Sequence, residues 1–360
     1  MAASPLILVT GGTGFIGRHL VAQLLDAGAR VRVFCRSAAK AESLFGGTVD
    51  VAEGDLDSEA ALRDALRGVG RVYHLAGLYT FGWRHRAALW RTNVDGTRRL
   101  LAAARRAGVE RLVHCSTAGI LAARGRRITP EDLPDRPPTG CPYKQSKWHA
   151  EQAARAAAAT GQPVIIANPT APIGPGDERP TPTGRMVLDL LEGRFPACSR
   201  TGINVIAVED LAAGLIAVGR QGEPGRRHLL GGQDLWLEDF LSRVAAHAGR
   251  PAPRAWVPWA AVAAGGLLGD LSGLLLRRGD SRLCWETAYF ARQVQFFDLA
   301  STQRALGWRA VRPLEDTLAS TVAWFAARSR SGCRTPGRPG DAMPRGVEGL
   351  TGNVGSIQSR

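Results

Sequence analysis

Thr10-Gly11-Gly12-Thr13-Gly14-Phe15-Ile16-Gly17 is the stretch that decides the fold. It joins a short apolar, β-prone run, Leu6–Thr10, to a helical stretch predicted over Phe15–Ala27. The three spaced glycines have separate tasks. Gly11 permits a tight turn, Gly14 lets the backbone approach a pyrophosphate, and Gly17 allows helix and strand to pack closely. The helix start then offers unpaired N–H groups and the positive end of its dipole to the phosphates. A glycine pattern alone is weak evidence. Its position between a strand and a helix is what the mechanism requires, so it marks a dinucleotide-binding turn.

Outward from this turn, apolar runs at Val31–Cys35, Val49–Ala52, Val72–Leu75, Leu112–Cys115 and Val164–Ala167 alternate with helical patterns. The clearest helices are Asn93–Ala107 and Tyr143–Ala159. Continuous apolar strands between helices predict an α/β, Rossmann-type, doubly wound parallel sheet covered on both faces. Val205–Val208, followed by the helical Leu211–Val218, reads as one more strand–helix pair returning to that sheet. Residues 1–170 and 202–232 are expected to form the nucleotide-binding domain. Residues 171–201 and 233–328, with scattered tryptophans and few strand signals, are expected to form a smaller, mostly helical substrate lobe. Within it, Ala255–Leu276 reads as a helical cap over the pocket, with peripheral membrane contact as the alternative. Thr181–Arg185 reads as a structural loop, with substrate contact as its alternative. From 329 to 360, Gly, Pro, Ser and Arg without periodicity predict a disordered tail.

The end of the second strand reports on the cofactor. A carboxylate there would bind the adenine ribose hydroxyl of NAD(H), but the chain reads Val33-Phe34-Cys35-Arg36-Ser37. Arg36, assisted by Arg18, suits a 2′-phosphate instead, which favours NADP(H) over NAD(H).

Acid–base chemistry is expected from Tyr143 and Lys147. They stand four residues apart on a helix that Pro142 opens, so both side chains share one face. A phenol with an ordinary pKa of about 10 is a poor base at neutral pH. A neighbouring ammonium and a cationic nicotinamide both favour phenolate and are expected to bring Tyr143 toward the working range. The chain has four tyrosines and only three lysines, Lys40, Lys144 and Lys147. Chance therefore accounts for about 0.03 such pairs. Thr117, or Ser116 as the alternative, sits at a strand end where a parallel sheet presents its carboxyl edge to ligands.

Composition narrows the partners. The 360 residues carry a net charge of +14, yet the excess is nearly all arginine, scattered without a basic run interleaved with aromatics. That spread predicts no nucleic-acid partner. The six cysteines show no metal-ligand spacing, so no metal is expected. Cys35 and Cys115 fall inside predicted buried strands, which suits reduced thiols and a cytoplasmic location. Met1 to Pro5 lacks the features of a targeting signal, and no run of about 18 apolar residues predicts a membrane span.

Several motifs together resemble the extended short-chain dehydrogenases/reductases, the NAD-dependent epimerase/dehydratase family. They are TGGTGFIG at 10–17, GDL at 54–56, HLAG at 74–77, NVDGT at 93–97, CST at 115–117 and YKQSK at 143–147. Within that superfamily, 168–185, 201–214 and 229–241 are similar to hopanoid-associated sugar epimerases. Dihydroflavonol 4-reductase-like proteins are similar as well. The resemblance covers residue 5 to about residue 327.

Position by position, the resemblance implies Thr117, Tyr143 and Lys147 as the catalytic set. It implies Gly11, Gly14, Phe15 and Ile16 at the pyrophosphate and Arg36 at the adenosine ribose. Asp55 and Leu56 would border the adenine, Leu75 and Ala76 the middle of the cofactor, and Pro169, with Tyr143 and Lys147, the nicotinamide end. Asn93 fits a family position near the active site, with a helix cap as the alternative. Many relatives have serine where Thr117 stands; threonine keeps the hydroxyl.

Three functions share these parts. A sugar epimerase, in hopanoid-linked metabolism, would pass hydride to a retained cofactor and back to the other face. A ketone reductase resembling dihydroflavonol 4-reductase would consume NADPH and exchange it. A cofactor-dependent binding module would need neither Tyr143 nor Lys147. The expected partner is a small molecule (sugar-like, a lipid-linked polyol or a cyclic ketone), and a homodimer is compatible with this reading.

Overall fold

The computed structural model describes residues 5–194, 197–253, 255–275 and 285–330. Its main sheet contains β1 (Leu6–Thr10), β2 (Val31–Cys35), β3 (Asp50–Glu53), β4 (Val69–His74), β5 (Arg111–Cys115) and β6 (Val164–Pro169). Four short strands follow outside it: β7 (Ala171–Ile173), β8 (Ala197–Cys198), β9 (Gly202–Ala207) and, after β10 (Arg227–Leu230), β11 (Gln233–Trp236). The last strand is β12 (Ala255–Trp256). β10 joins the main sheet, giving seven strands in the order β10-β6-β5-β4-β1-β2-β3. Every pairing in it is parallel.

Helices cover both faces, as a parallel sheet requires. The first half supplies α1 (Phe15–Asp26), α2 (Ala38–Phe45), α3 (Glu59–Ala65), α4 (Arg86–Leu89), α5 (Gly96–Arg106) and α6 (Pro142–Ala159). Then come α7 (Pro182–Leu191), α8 (Val208–Gln221), α9 (Leu237–Ala248), α10 (Trp259–Leu275), α11 (Trp285–Phe290), α12 (Ala300–Leu306) and α13 (Leu314–Arg330). Side chains alternate across each strand. Ile7, Val9, Val33, Val113 and Ile165 therefore meet Leu20, Leu24, Leu211 and Leu215 of α1 and α8. Leu6, Leu8, Val72, Leu112 and Ile166 meet Leu62, Leu100 and Ala154 of α3, α5 and α6. Each such fully buried aliphatic side chain contributes about 1.5–3 kcal/mol.

One strand assignment is corrected. The strand at 202–207 does not return to the main sheet. It is the centre of a separate three-stranded sheet, antiparallel to β11 and parallel to β7. The returning strand is β10, paired with β6 from Arg227↔Ile166 to Leu230↔Pro169. An apolar run reports burial but not which sheet it joins. The small sheet packs with α7, α9 and α13 in a core of its own that includes Val187, Phe240, Leu318 and Phe325.

α13 reaches Arg330, so the first two residues of the expected tail are helical. The rest of that tail, with Cys333, lies outside the described residues, as do Leu276 and Cys284. Among the described residues no helix is long and apolar enough to cross a membrane. Cys35, Cys115, Cys141 and Cys198 are buried and free.

Candidate active site

The glycine turn is built as its spacing requires. Gly11 has a φ of +73°, and a Cβ there would lie 2.7 Å from the backbone N of Ala76. A Cβ on Gly17 would lie 2.1 Å from the Gly11 carbonyl oxygen and 2.7 Å from Gly12 Cα, both fixed backbone. At Gly14 it would meet only the Gly11 oxygen, at 3.1 Å, so the other side of this residue is open. Gly14 precedes α1 with no side-chain cap and no acidic residue in the first turn. The first N–H groups of the helix, at Phe15 and Ile16, therefore face the opening. This cradle fits a pyrophosphate.

Its neighbours are held close. Leu75 N–H donates to Thr10 O at 3.1 Å and Ala76 N–H to Thr10 Oγ1 at 3.2 Å, so both residues border the turn. Leu56 is buried against Gly96, while Asp55 accepts from Asp57 N at 3.2 Å. Pro169 ends β6 beside Leu230. Arg36 follows β2 and is exposed. Ser37 caps α2 by accepting from Lys40 N at 3.2 Å. Arg18 pairs with Glu178 at 2.8 Å, and Lys40 pairs with the same carboxylate at 3.1 Å.

Tyr143, Thr117 and Lys147 converge at the carboxyl ends of β5 and β6. The buried Tyr143 phenol lies beside Thr117, whose Oγ1 accepts from Gly119 N at 3.2 Å. Ser116, the alternative, is buried with its hydroxyl unpaired among the described residues. Lys147 Nζ donates to Cys115 O at 2.8 Å.

Burial raises the Tyr143 pKa, the Cys115 and Cys141 thiols add to that, and only the Thr117 hydroxyl opposes. Tyr143 therefore stands protonated at neutral pH. Burial also lowers the Lys147 pKa. Beside it, His74 is pushed down to about 3 by burial and then by the Lys147 charge, so it is neutral. Its ring bridges Thr10 Oγ1 at 2.8 Å and Thr97 Oγ1 at 2.9 Å, tying the glycine turn to the first turn of α5.

Asn93 is not a cap. It lies in a π-helical turn, Trp90–Asp95, that runs into α5. Its Oδ1 accepts from Leu78 N at 2.7 Å, and its Nδ2 donates to Leu78 O at 3.0 Å and Ser146 Oγ at 2.9 Å. One side chain thus fixes the loop after β4 against the helix that carries Tyr143. Such one-turn π insertions recur at functional sites. Thr181, by contrast, does cap: its Oγ1 accepts from Gly184 N at 3.1 Å, and the expected loop at 181–185 is instead the start of α7, which begins at Pro182.

Sequence reasoning missed the groups that surround the phenol. The ring of Tyr79 packs on that of Tyr143 at 4.2 Å between centroids, and Phe81 stands at 6.4 Å. Phe290, from α11, contacts Phe81 at 5.5 Å. Lys144 is 2 % exposed and donates from Nζ to Gln293 Oε1 at 2.7 Å. Its ammonium lies 4.2 Å from the Phe290 ring and 5.2 Å from that of Tyr289. Burial pushes the Lys144 pKa down to about 8. Glu286, also buried, accepts from Gly82 N and holds the aromatic loop to α11. Behind Thr117, Asn168 Nδ2 donates to Thr117 O at 3.2 Å and to Glu151 Oε2 at 2.8 Å, and Arg227 pairs with Glu151 at 2.6 Å.

Residues 7–231 match the model of a family described as the NAD dependent epimerase/dehydratase family. A putative dihydroflavonol 4-reductase of Synechocystis sp. is 38% identical over 264 residues, covering 72% of this chain and 77% of that protein. Sterol demethylase protein B of Methylococcus capsulatus is 33% identical over 323 residues, covering 89% of this chain and 98% of that protein. Among solved structures, a nucleoside-diphosphate-sugar epimerase from Pseudomonas aeruginosa superposes with a TM-score of 0.75 at 26% identity, covering 91% of this chain and 99% of that one. MoeE5, solved with UDP-glucose and NAD, superposes with a TM-score of 0.69 at 26% identity, covering 90% and 99%.

Proposed function

The chain belongs to the NAD-dependent epimerase/dehydratase family, and on that premise we propose that it reduces a ketone to a secondary alcohol on an apolar, ring-bearing substrate. NADP(H) is the favoured cofactor, with Arg36 at its 2′-phosphate, and NAD(H) is the alternative. Relatives are named as reductases and epimerases, which sets aside the reading of the fold as a binding module. The observation that carries the proposal is the aromatic wall of Tyr79 and Phe81 packed around the buried Tyr143.

When bound, the reduced nicotinamide supplies the hydride. The remaining work falls to the chain. Thr117 and Tyr143 would hydrogen-bond the carbonyl oxygen, and Tyr143 would give its proton as negative charge develops there. A phenol is protonated at neutral pH and so has the proton to give to the carbonyl oxygen. Lys147 would hold the nicotinamide ribose with the N–H groups not given to Cys115 O. The glycine turn would anchor the pyrophosphate, and the rings of Tyr79, Phe81 and Phe290 would exclude water from the reacting carbon.

The aromatic wall favours a flat apolar body over a nucleotide sugar. Relatives named for dihydroflavonol reduction and sterol demethylation support the same choice. A second reading, a sugar epimerase in hopanoid-linked metabolism, draws on the likeness to a nucleoside-diphosphate-sugar epimerase. Cofactor absorbance separates them. The expected result is stoichiometric NADPH consumption with a cyclic ketone. Tightly retained cofactor, with interconversion of a sugar and no net consumption, would establish the epimerase instead.

A further inference from the structure

Three cations stand on the elements expected to border the adenosine end of the cofactor. Arg36 follows β2, Lys40 stands in the first turn of α2, and Arg18 stands in the first turn of α1. Two of them are already engaged by a residue from far along the chain. Glu178 lies in the segment 174–181 between β7 and α7, and its carboxylate spans Arg18 at 2.8 Å and Lys40 at 3.1 Å. The segment is fastened to α1 nearby: His19 Nε2 donates to Pro175 O at 2.9 Å, and a Cβ on Gly176 would lie 3.1 Å from Arg18 Cδ. Asp177, next in line, is buried and accepts from Thr181 N and Oγ1, each at 2.8 Å, which fixes the course of the segment. Glu178 is therefore held in place. Burial opposes its charge, but the bonds from Arg18 and Lys40 win and keep its carboxyl below the ordinary range.

We infer that Glu178 is a specificity-determining residue for the cofactor: by holding Arg18 and Lys40, it leaves Arg36 alone to meet a 2′-phosphate, so that NAD(H) and NADP(H) are both accepted. The inference rests on the proposed cofactor site and deepens it. Sign and distance decide the direction. A 2′-phosphate adds negative charge and needs cations, whereas a ribose hydroxyl needs an acceptor, and a fixed carboxylate beside those cations weakens the first and tolerates the second. The three side chains are partly exposed, at 18% for Arg18, 31% for Glu178 and 42% for Lys40, so each contact has the modest strength of a screened ion pair.

The test is equilibrium binding to the full-length chain, read by tryptophan fluorescence, without turnover. NADPH and NADH are titrated into the wild type, Glu178→Gln and Glu178→Asp. Adenosine 2′,5′-bisphosphate and 5′-AMP serve as probes of the adenosine end alone. Freeing two screened cations is expected to raise the preference for NADPH over NADH about tenfold in Glu178→Gln. The preference for the bisphosphate over 5′-AMP is expected to rise in parallel, and Glu178→Asp is expected to stay near the wild type. An unchanged ratio, or equal loss of both nucleotides, would overturn the inference and leave Glu178 a structural fastener. If the wild type binds neither NADH nor NADPH, the proposed cofactor site itself fails.

Discussion

Replacing Lys144 with methionine tests how the site treats a buried charge. The ammonium is 2 % exposed, and its pKa falls from the ordinary 10.5 to about 8 because burial outweighs the attraction of Cys141. That gap corresponds to about 3 kcal/mol that folding spends on keeping the charged form below pH 8. Methionine has a similar length and packs well on aromatic edges. It removes the charge but leaves Gln293 Oε1 without its donor, a loss of about 1–3 kcal/mol. At neutral pH the two effects nearly cancel. The pH dependence does not cancel. Between 8 and 10.5 the unfolded chain holds a proton at Lys144 that the folded chain has released, so wild-type stability rises with pH across that window. The groups facing Lys144 are the Cys141 thiol, Tyr289 and Gln293, with Glu286 behind Cys141. They remain in the variant, so the difference between the two proteins isolates Lys144. Urea unfolding followed by tryptophan fluorescence should show the wild type gaining about 2–3 kcal/mol on Lys144→Met between about pH 7 and about pH 10. Parallel stability profiles would refute the reasoning.

Tyr143→Phe should cut turnover about 10²- to 10⁴-fold while nucleotide dissociation constants stay within a factor of about two; undiminished turnover would remove Tyr143 from the chemistry. Gly17→Ala drives a Cβ into the Gly11 carbonyl. It should cost about 1–3 kcal/mol of stability and weaken NADH and NADPH alike, as calorimetry can establish. Asn93→Ala strands the Leu78 N–H and C=O groups and should lower stability by about 1–3 kcal/mol. It should also lower kcat/KM, because the aromatic loop loses its hold on α6; full activity with a lowered urea midpoint would confine Asn93 to a structural role.

The parts of the site that were legible in the sequence are those where chemistry imposes a local pattern. The glycine turn is one, because Gly11 and Gly17 admit no side chain and Gly14 opens the way to phosphate. The pair at 143 and 147 is another, because helical periodicity alone puts both on one face. What escaped depends on distant meetings. Nothing near Tyr143 in the chain announces Phe290 or Tyr289, and a lysine is ordinarily a surface residue, so the burial of Lys144 left no trace. Arg36 was visible at the end of β2, whereas Glu178 reaches Arg18 only through the course of the segment after β7. The same limit explains β9: the pattern in Val205–Ala207 records burial on both sides, which either sheet would satisfy. The depth of burial around Tyr143 was hidden for a related reason, since Tyr79 and Phe81 reach it from the loop after β4.

The Arg227–Glu151–Asn168 chain gives the order of synthesis a meaning. Glu151 is fully buried, and Arg227, its cation, lies on the outermost strand and leaves the ribosome long after the glycine turn. Until that strand docks, Glu151 is an unpaired charge worth about 3–5 kcal/mol of destabilisation, and Asn168 has no firm anchor from which to hold Thr117. Closing the outer edge of the sheet is thus what neutralises Glu151 and steadies Asn168 beneath Thr117.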